Sequence, residues 1–539
     1  MNRGRLARRL VQMAFLVLFV VLLRAAKWSP EHVGPVSVFL RSDPLAALVT
    51  VLSGLHWASA GQVLWVVVPG LVVLGLTALF GRFYCGWICP LGTCIDLFGA
   101  AVVRPVKRRD SRWGRLPWLK YCLLAAVLLS ALLGAQTAWL LDPIPLTTRT
   151  FATVFHPALL QVQNWLAMHS SGPAAALSSR LGLQIVVDRG FALAWPVAAV
   201  FALVLGLSFI SRRYWCRNLC PLGALLGFAG RWGMWRRVVS EDCLHCKRCV
   251  ADCKMGAIPE DRPDHTITSE CILCYNCLSC PRPGLSRIGI SGDSRGHDRA
   301  VAASRRRILG AAGAGLAYGL LARTGLASGR QSDGGYHRLL IRPPGAIVRD
   351  SSGHVARMMT EAELRSQCIR CGLCMKACVT GVLQPAVFEG GLDGFYTPVV
   401  NASVGWCEQN CDICGSVCPT GALRPFTVEE KSHIQIARAQ IDQHTCLSWQ
   451  TGDEYQLCLV CSEVCSYHAV ANVDTDGSGQ LRPVVCPNTC VGCGICEFNC
   501  PAGPPEAPSA AIRIYRLDSF DASERGPRRR QRLRLGGNR

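Results

Sequence analysis

Charge is scarce in this chain of 539 residues, and negative charge is scarcest: 36 Asp+Glu stand against 57 Lys+Arg, 17% of residues are charged, and half are hydrophobic. That excludes a disordered chain and argues against an ordinary soluble enzyme. There is no C-x-x-C-His haem motif, Walker loop or flavin motif, and the 12 histidines share no short ligand motif. A terminal substrate site of those kinds is therefore not encoded. What abounds is cysteine, 31 residues in tight x2 and x3 spacings. So long a chain is no small disulfide-stapled domain. Thiols this close suit a shared metal cluster better than cross-links to one another. A net charge of +21 would suit nucleic acid, but the placement of the basic residues points to a lipid bilayer instead and to no nucleic acid.

Uncharged runs cover residues 10–23, 62–80, 121–141 and 191–210. The last three match the roughly 20 residues that cross a hydrocarbon core. The first is short and needs Arg24 and Lys27 to snorkel; a cleaved signal peptide is its other reading. Arginine and lysine crowd the N-terminus, residues 81–120 and residues 212–237, whereas residues 29–61 and 142–190 are poor in them. The positive-inside rule places the first set in the cytoplasm and the second outside, in a bacterial inner membrane.

The two cytoplasmic exits repeat. Arg82-Phe83-Tyr84-Cys85 leads to Cys89-Pro90-Leu91-Gly92, and Arg213-Tyr214-Trp215-Cys216 leads to Cys220-Pro221-Leu222-Gly223. This is a parallel repeat of a two-helix unit carrying C-x3-C-P-L-G. Cys85, Cys89, Cys216 and Cys220 then form a candidate four-thiolate metal site or redox thiol cluster, or else thiols that dock a neighbouring iron–sulfur domain. Cys94 and Cys122 read as small buried apolar residues.

Cys243, Cys246, Cys249 and Cys253, then Cys271, Cys274, Cys277 and Cys280, are paired cluster motifs. In such pairs the fourth cysteine ligates the other cluster. One 4Fe–4S cluster is thus expected on Cys243, Cys246, Cys249 and Cys280, the other on Cys271, Cys274, Cys277 and Cys253. Lys254 stands where a proline is usual, and the second motif is one residue short. Four more motifs follow: Cys368, Cys371, Cys374 and Cys378; Cys407, Cys411, Cys414 and Cys418; Cys446, Cys458, Cys461 and Cys465; Cys490, Cys493, Cys496 and Cys500. Sixteen thiols suit four clusters, six in the whole chain, with the crossing pattern of the second module open and Cys486 spare. Between the modules, Ser304-Arg305-Arg306-Arg307-Ile308-Leu309 opens an apolar Gly/Ala-rich stretch. It has the form of an internal twin-arginine signal, of an uncut fifth helix, or of a basic linker with a short buried helix.

The expected architecture is an α-helical membrane bundle of four spans with a possible fifth (1–237), plus two α+β bacterial-ferredoxin-type 4Fe–4S modules. The first (238–290) is cytoplasmic and the second (331–518) periplasmic, with a linker (291–330) between them and a basic tail (519–539) that is either solvated or bound to an acidic surface. Residues 1–290 resemble NapH, the quinol-dehydrogenase component of periplasmic nitrate reduction. Residues 304–517 resemble NapG, a twin-arginine-exported four-cluster protein, as if the two were fused; the MauN/MauM pair of methylamine oxidation is similar. The resemblance implies a quinol dehydrogenase taking electrons from membrane quinol, through the clusters, to a periplasmic oxidoreductase or cytochrome c. His56, His156, Asp142 and Arg149, near the outer ends of spans, are the candidate quinol-site residues; ordinary interfacial polar residues are the competing reading. A maturation factor of the CcoG/NosR kind and a passive polyferredoxin subunit are the competing functions.

Overall fold

A computed structural model describes residues 3–26, 36–54, 60–103, 116–169, 190–240, 242–280, 285–290, 297–298, 305–323, 340–350, 352–387, 389, 391–475, 477–502 and 510–517. The bundle is built from α1 (Arg3–Ala25), α2 (Pro44–Gly54), α3 (Ala60–Phe80), α4 (Pro90–Ala101), α5 (Leu119–Leu132), α6 (Pro143–Thr150), α7 (His156–His169), α8 (Ala194–Gly206), α9 (Pro221–Gly230) and α10 (Arg305–Arg323). Among the described residues α1 is long and apolar enough to cross a membrane by length and composition; α3 is an uncharged helix of 21 residues, and the apolar helices Leu119–Leu132 and Ala194–Phe209 are shorter. The expected third span is interrupted. α5 ends at Leu132, Gly134 turns the backbone left-handed at φ +82°, and Ala138–Leu140 continues as a 3-10 turn. Ser130 and Thr137 bond each other across that break at 2.6 Å.

The repeat is deeper than its cysteines. In the first unit, α1 is followed by Asp43-Pro44 at the head of α2, then by α3, the C-x3-C turn and α4. In the second, α5 is followed by Asp142-Pro143 at the head of α6, then by α7, α8, the second C-x3-C turn and α9. Each proline fits the first turn of its helix, where no N–H is needed, and each aspartate accepts backbone N–H groups there: Asp43 from Leu45 at 2.9 Å, Asp142 from Ile144 at 3.4 Å.

α1 links the two modules. At its start Arg5 donates to the carbonyl of Asn276 in the first module at 2.9 Å; at its end the carbonyl of Ala26 accepts from Lys376 in the second at 2.8 Å. A helix of this length rises about 34 Å, close to a hydrocarbon thickness. One buried core runs the whole way, from Met255 and Ile272 through Leu45, Leu91 and Leu222 to Ile369 and Leu373. Outside it, Leu10, Val17, Leu71, Leu79 and Trp195 are large apolar side chains left exposed on the bundle's flank.

The first module hangs on an antiparallel strand pair, Trp235–Val239 against Ser286–Ile290. The second is a chain of short elements and two-stranded ribbons, such as Arg438–Ile441 with Ile512–Tyr515. α10 lies along α5 in parallel sense. Arg307 sits 4.3 Å over the Trp118 ring, a Cβ on Gly315 would stand 2.3 Å from the Ala126 carbonyl oxygen, and one on Gly319 would stand 2.8 Å from Leu133. Small residues four apart let two helix backbones approach this closely. The basic–apolar segment is therefore a helix packed on the bundle. The tail 519–539 lies outside the described residues, as do residues 324–339.

Candidate electron-transfer site

In the first module, Cys243, Cys246, Cys249 and Cys280 line one small cavity, which Cys277 also reaches, and Cys253, Cys271, Cys274 and Cys277 line a second. These are the two expected sets. The second module shows the same exchange. Cys446, Cys458, Cys461 and Cys500 line one cavity. Cys465 falls to Cys490, Cys493 and Cys496; Cys418 joins Cys368, Cys371 and Cys374; Cys378 joins Cys407, Cys411 and Cys414. Neighbouring motifs thus swap their fourth cysteine throughout.

The chain path is shared as well. The residues just before and after the second cysteine are left-handed in four motifs: His245 and Lys247, Leu273 and Tyr275, Arg370 and Gly372, Gly492 and Gly494. A non-glycine residue there is uncommon and marks a backbone held by its surroundings. Such a curl turns three thiols toward one centre. Burial pushes the Cys271, Cys371 and Cys493 thiols up to about 12, so they are neutral until iron holds them as thiolates. Among the described residues no three Cys, His, Asp or Glu groups close on a single metal ion. Four thiols gathered on short x2 and x3 loops are the donor set of a 4Fe–4S cluster.

Cys85, Cys89, Cys216 and Cys220 also gather in the common core. Cys89 and Cys220 are the N-caps of α4 and α9, and the Cys220 sulfur accepts from Gly223 N at 3.2 Å. Two helix N-termini thus face the thiols. The arginines of the motifs cross over: Arg213 donates to the carbonyls of Cys85 (2.9 Å) and Gly92 (3.0 Å), while Arg82 packs against Gly223. Arg82 is fully buried, lies within electrostatic reach of Cys85 and Cys220, and has Nε and Nη2 without acceptors. A negatively charged thiolate centre is the group that would satisfy it. Burial and the neighbouring thiols raise Cys89 and Cys220 well above the usual thiol range, so a thiolate there also needs a metal or cluster beside it.

This site touches the first module directly. A Cβ on Gly86, inside the first C-x3-C turn, would stand 2.2 Å from the carbonyl oxygen of Ile272, between cluster cysteines Cys271 and Cys274. One on Gly256 would stand 2.5 Å from the Arg217 guanidinium of the second turn. Docking is completed by Glu270, buried between Arg82 (3.1 Å) and Lys120, and by Trp87, which donates to Leu273 O at 3.1 Å.

The outer-end candidates are already engaged. Asp142 is fully buried, caps α6, and lies within electrostatic reach of Asp43. Arg149 lies 5.1 Å from the Trp139 ring and 5.0 Å from the Tyr396 ring and donates to Arg370 O at 3.3 Å, which places it in the seam with the second module. His156 opens α7, half-buried, after the π-helical turn Phe151–Phe155. His56 lies outside the described residues. Asp43, Asp96 and Glu270 were not singled out from the sequence, and Arg82 and Arg213 were read as loop charges at the head of the repeated motifs. The repeated Asp-Pro dipeptide and the arginine three residues before each C-x3-C were the available signals.

A family model described as a 4Fe-4S binding domain matches residues 62–109 and 193–239, the two copies of helix plus C-x3-C-P. The chain is similar to ferredoxin-type proteins of the NapH and MauN kind. The methylamine utilization ferredoxin-type protein MauN of Methylorubrum extorquens is 29% identical over 46% of this chain and 73% of its own length. The ferredoxin-type protein NapH of Haemophilus influenzae is 23% identical over 51% and 86%. Protein NirI of Paracoccus denitrificans is 26% identical over 43% of this chain but only 30% of itself. No solved structure matches. Iron–sulfur electron transport of the ferredoxin type is the activity these likenesses carry.

Proposed function

We propose that this NapH- and MauN-like protein is a membrane quinol dehydrogenase that carries electrons through six 4Fe–4S clusters toward an acceptor on the outer side, with a NapG-like second module fused to the first. The observation that carries this is the continuous buried core, with cluster-type cysteines packed at both ends of α1. Arg5, Arg82 and Arg237, from the arginine-rich segments, lie at the first module's end, which the positive-inside rule makes cytoplasmic. The exposed apolar flank and the length of α1 suit a bilayer.

Quinol oxidation releases two electrons and two protons. Bound clusters supply one-electron acceptance in sequence. The chain's own contribution is to gather the thiols, exclude water from them, and set the order of stations: the Cys271 and Cys274 loop, the four C-x3-C thiols against it, then the Cys371 loop at the far end of the same core. α10 runs parallel to α5 from the first module's end, and Tyr318 near its close lies within electrostatic reach of Asp393 and Arg370 in the second module. It therefore serves as the connection that carries the chain across.

The test is redox-monitored EPR of the purified full chain in lipid nanodiscs. A quinol analogue should reduce the clusters, and iron should approach about 24 atoms per chain. Clusters that dithionite reduces but quinol leaves oxidised would overturn the dehydrogenase reading in favour of a maturation or carrier role.

A further inference from the structure

We infer that the quinol ring is oxidised at the inner end of the bundle, in a cavity between α1, α4 and the first module, and not at the outer ends of the spans. This rests on the quinol-dehydrogenase reading and gives it a site. The cavity has a volume of about 660 Å3, within the range of small-molecule pockets. Its wall divides in two. Met13, Leu97 and Ala100 lie at its membrane side, and Met13 and Leu97 are among the large apolar side chains left exposed on the flank. A prenyl tail has its way in there. The other side is polar and belongs partly to the cluster module: Asp252 and Lys254 flank cluster cysteine Cys253, and Asn276 follows Cys274 by two residues. A ring in this cavity therefore lies against the loops that hold one cluster.

The polar wall is built and charged. Asp96 is clamped by Arg213 (2.9 Å), Lys254 (2.9 Å) and Arg8 (3.3 Å), and accepts from Gln12 at 3.3 Å. These cations outweigh the cost of its burial and hold its carboxyl ionised, far below the usual carboxylate range. Asp96 is thus a positioning residue and not the proton acceptor. Arg8, only 2% exposed, has its Nε without an acceptor. That buried donor on the wall needs an oxygen, and a quinol oxygen in the cavity supplies one. Cations outnumber carboxylates around the cavity, which favours the anionic quinol from which the first electron leaves. The balance is QH2 → Q + 2 electrons + 2 protons. The electrons would pass one at a time to a cluster held by Cys253, Cys271, Cys274 and Cys277, and both protons would leave through the open mouth to water.

The experiment uses the full chain in nanodiscs and an azido-quinone photoprobe. Label should fall on peptides of α1 and α4. Ala100→Trp, at an exposed position on the rim, should lower quinol-driven cluster reduction about tenfold or more while dithionite reduction stays complete. His156→Ala, at the other end, should keep the parental rate. Label on residues 142–169, or a parental rate in Ala100→Trp, overturns the site. So does a phospholipid found in the cavity by native mass spectrometry, lost in Ala100→Trp with the quinol rate unchanged. A parental protein that neither takes the probe nor accepts electrons from quinol overturns the dehydrogenase reading itself. The labelling arm uses the parental chain and decides the site even if the variant does not accumulate.

Discussion

The two ends of the bundle, named inner at the first module and outer at the second after the proposed orientation, hold their modules by different physics. At the inner end the contacts are buried charges: Glu270 between Arg82 and Lys120, and Asp96 among Arg213, Lys254 and Arg8. At the outer end they are mostly apolar and aromatic. Ile369, Leu373 and Ile413 join the bundle core, and Arg149 lies between the rings of Trp139 and Tyr396. Buried ion pairs give little net stability but fix geometry, because every partner is costly to leave alone. Apolar seams stabilise and tolerate shifts. The inner end, where the Gly86 backbone of the first C-x3-C turn lies close against Ile272 in the loop after Cys271, is thus held in register, while the outer end is held tightly without demanding one register.

The largest effect should therefore come from Glu270→Gln. It leaves Arg82 and Lys120 uncompensated in the core, a loss on the order of 3–5 kcal/mol. The first module should become protease-sensitive and lose its iron while the second keeps its own. Equal loss from both modules would show that the ends are not independent.

Next comes the thiol site. Cys89→Ser or Cys220→Ser should leave membrane insertion and dithionite-reducible clusters intact while quinol-driven reduction of the second module falls about tenfold or more. An unchanged rate would take the four thiols off the electron path. Failure to accumulate would assign them to folding. Gly86→Val sharpens this result without touching a thiol: its side chain meets the Ile272 carbonyl, so the cluster loop must move and transfer must slow.

Much of this was legible in the sequence, for a physical reason. Cysteines that gather on one centre sit on short loops of fixed spacing, so the two thiol groups of the first module, with the exchange of the fourth, could be read directly. The exchange in the second module could not, because x3 and x11 spacings allow several pairings until the loops are placed in space. The third span was misread in length. Hydropathy continues through residues 121–141, but Gly134 and the Ser130–Thr137 hydrogen bond end the helix earlier. Arg82 and Arg213 looked like positive-inside loop charges, yet both are buried. Their role depends on the two halves of the repeat facing each other, which no single-strand pattern shows. Asp142 was noted without its partner Asp43 for the same reason.

A smaller effect is expected along α10. Gly315→Leu meets the Ala126 carbonyl and should unseat the helix from α5, lowering thermal stability by a few degrees; Gly313→Leu, with nothing within 4 Å of its Cβ, should not. If the two variants behave alike, α10 is a tether and not a packed part of the bundle. Cysteine pairs placed along α5 and α10 would decide between those readings by their cross-linking.

The smallest predicted effect tests whether the outer end is as tolerant as its apolar seam suggests. The helix Glu361–Gln367 docks there, with Ser53 of α2 donating to Ser366 O. Its first turn is a reciprocal cap: Thr360 Oγ1 accepts from Glu363 N at 3.3 Å, and the Glu363 carboxylate accepts from Thr360 N at 2.7 Å. Arg357 donates to the same carboxylate and, with the cap, holds it at about 2 rather than its ordinary 4.5. A depressed carboxylate contributes stability that is fully present above its unfolded value and is lost as pH falls through the folded one. The cap of this helix should thus loosen between about pH 4.5 and pH 2, and Glu363→Gln should remove the part of that dependence that Glu363 supplies, at a cost of about 1 kcal/mol at neutral pH. Hydrogen exchange at the amides of residues 361–367 would report it. Since the inner clamps do not involve this helix, exchange in the first module should stay at its parental rate. If it rises as well, the continuous core transmits the loss, and the two ends are one cooperative unit.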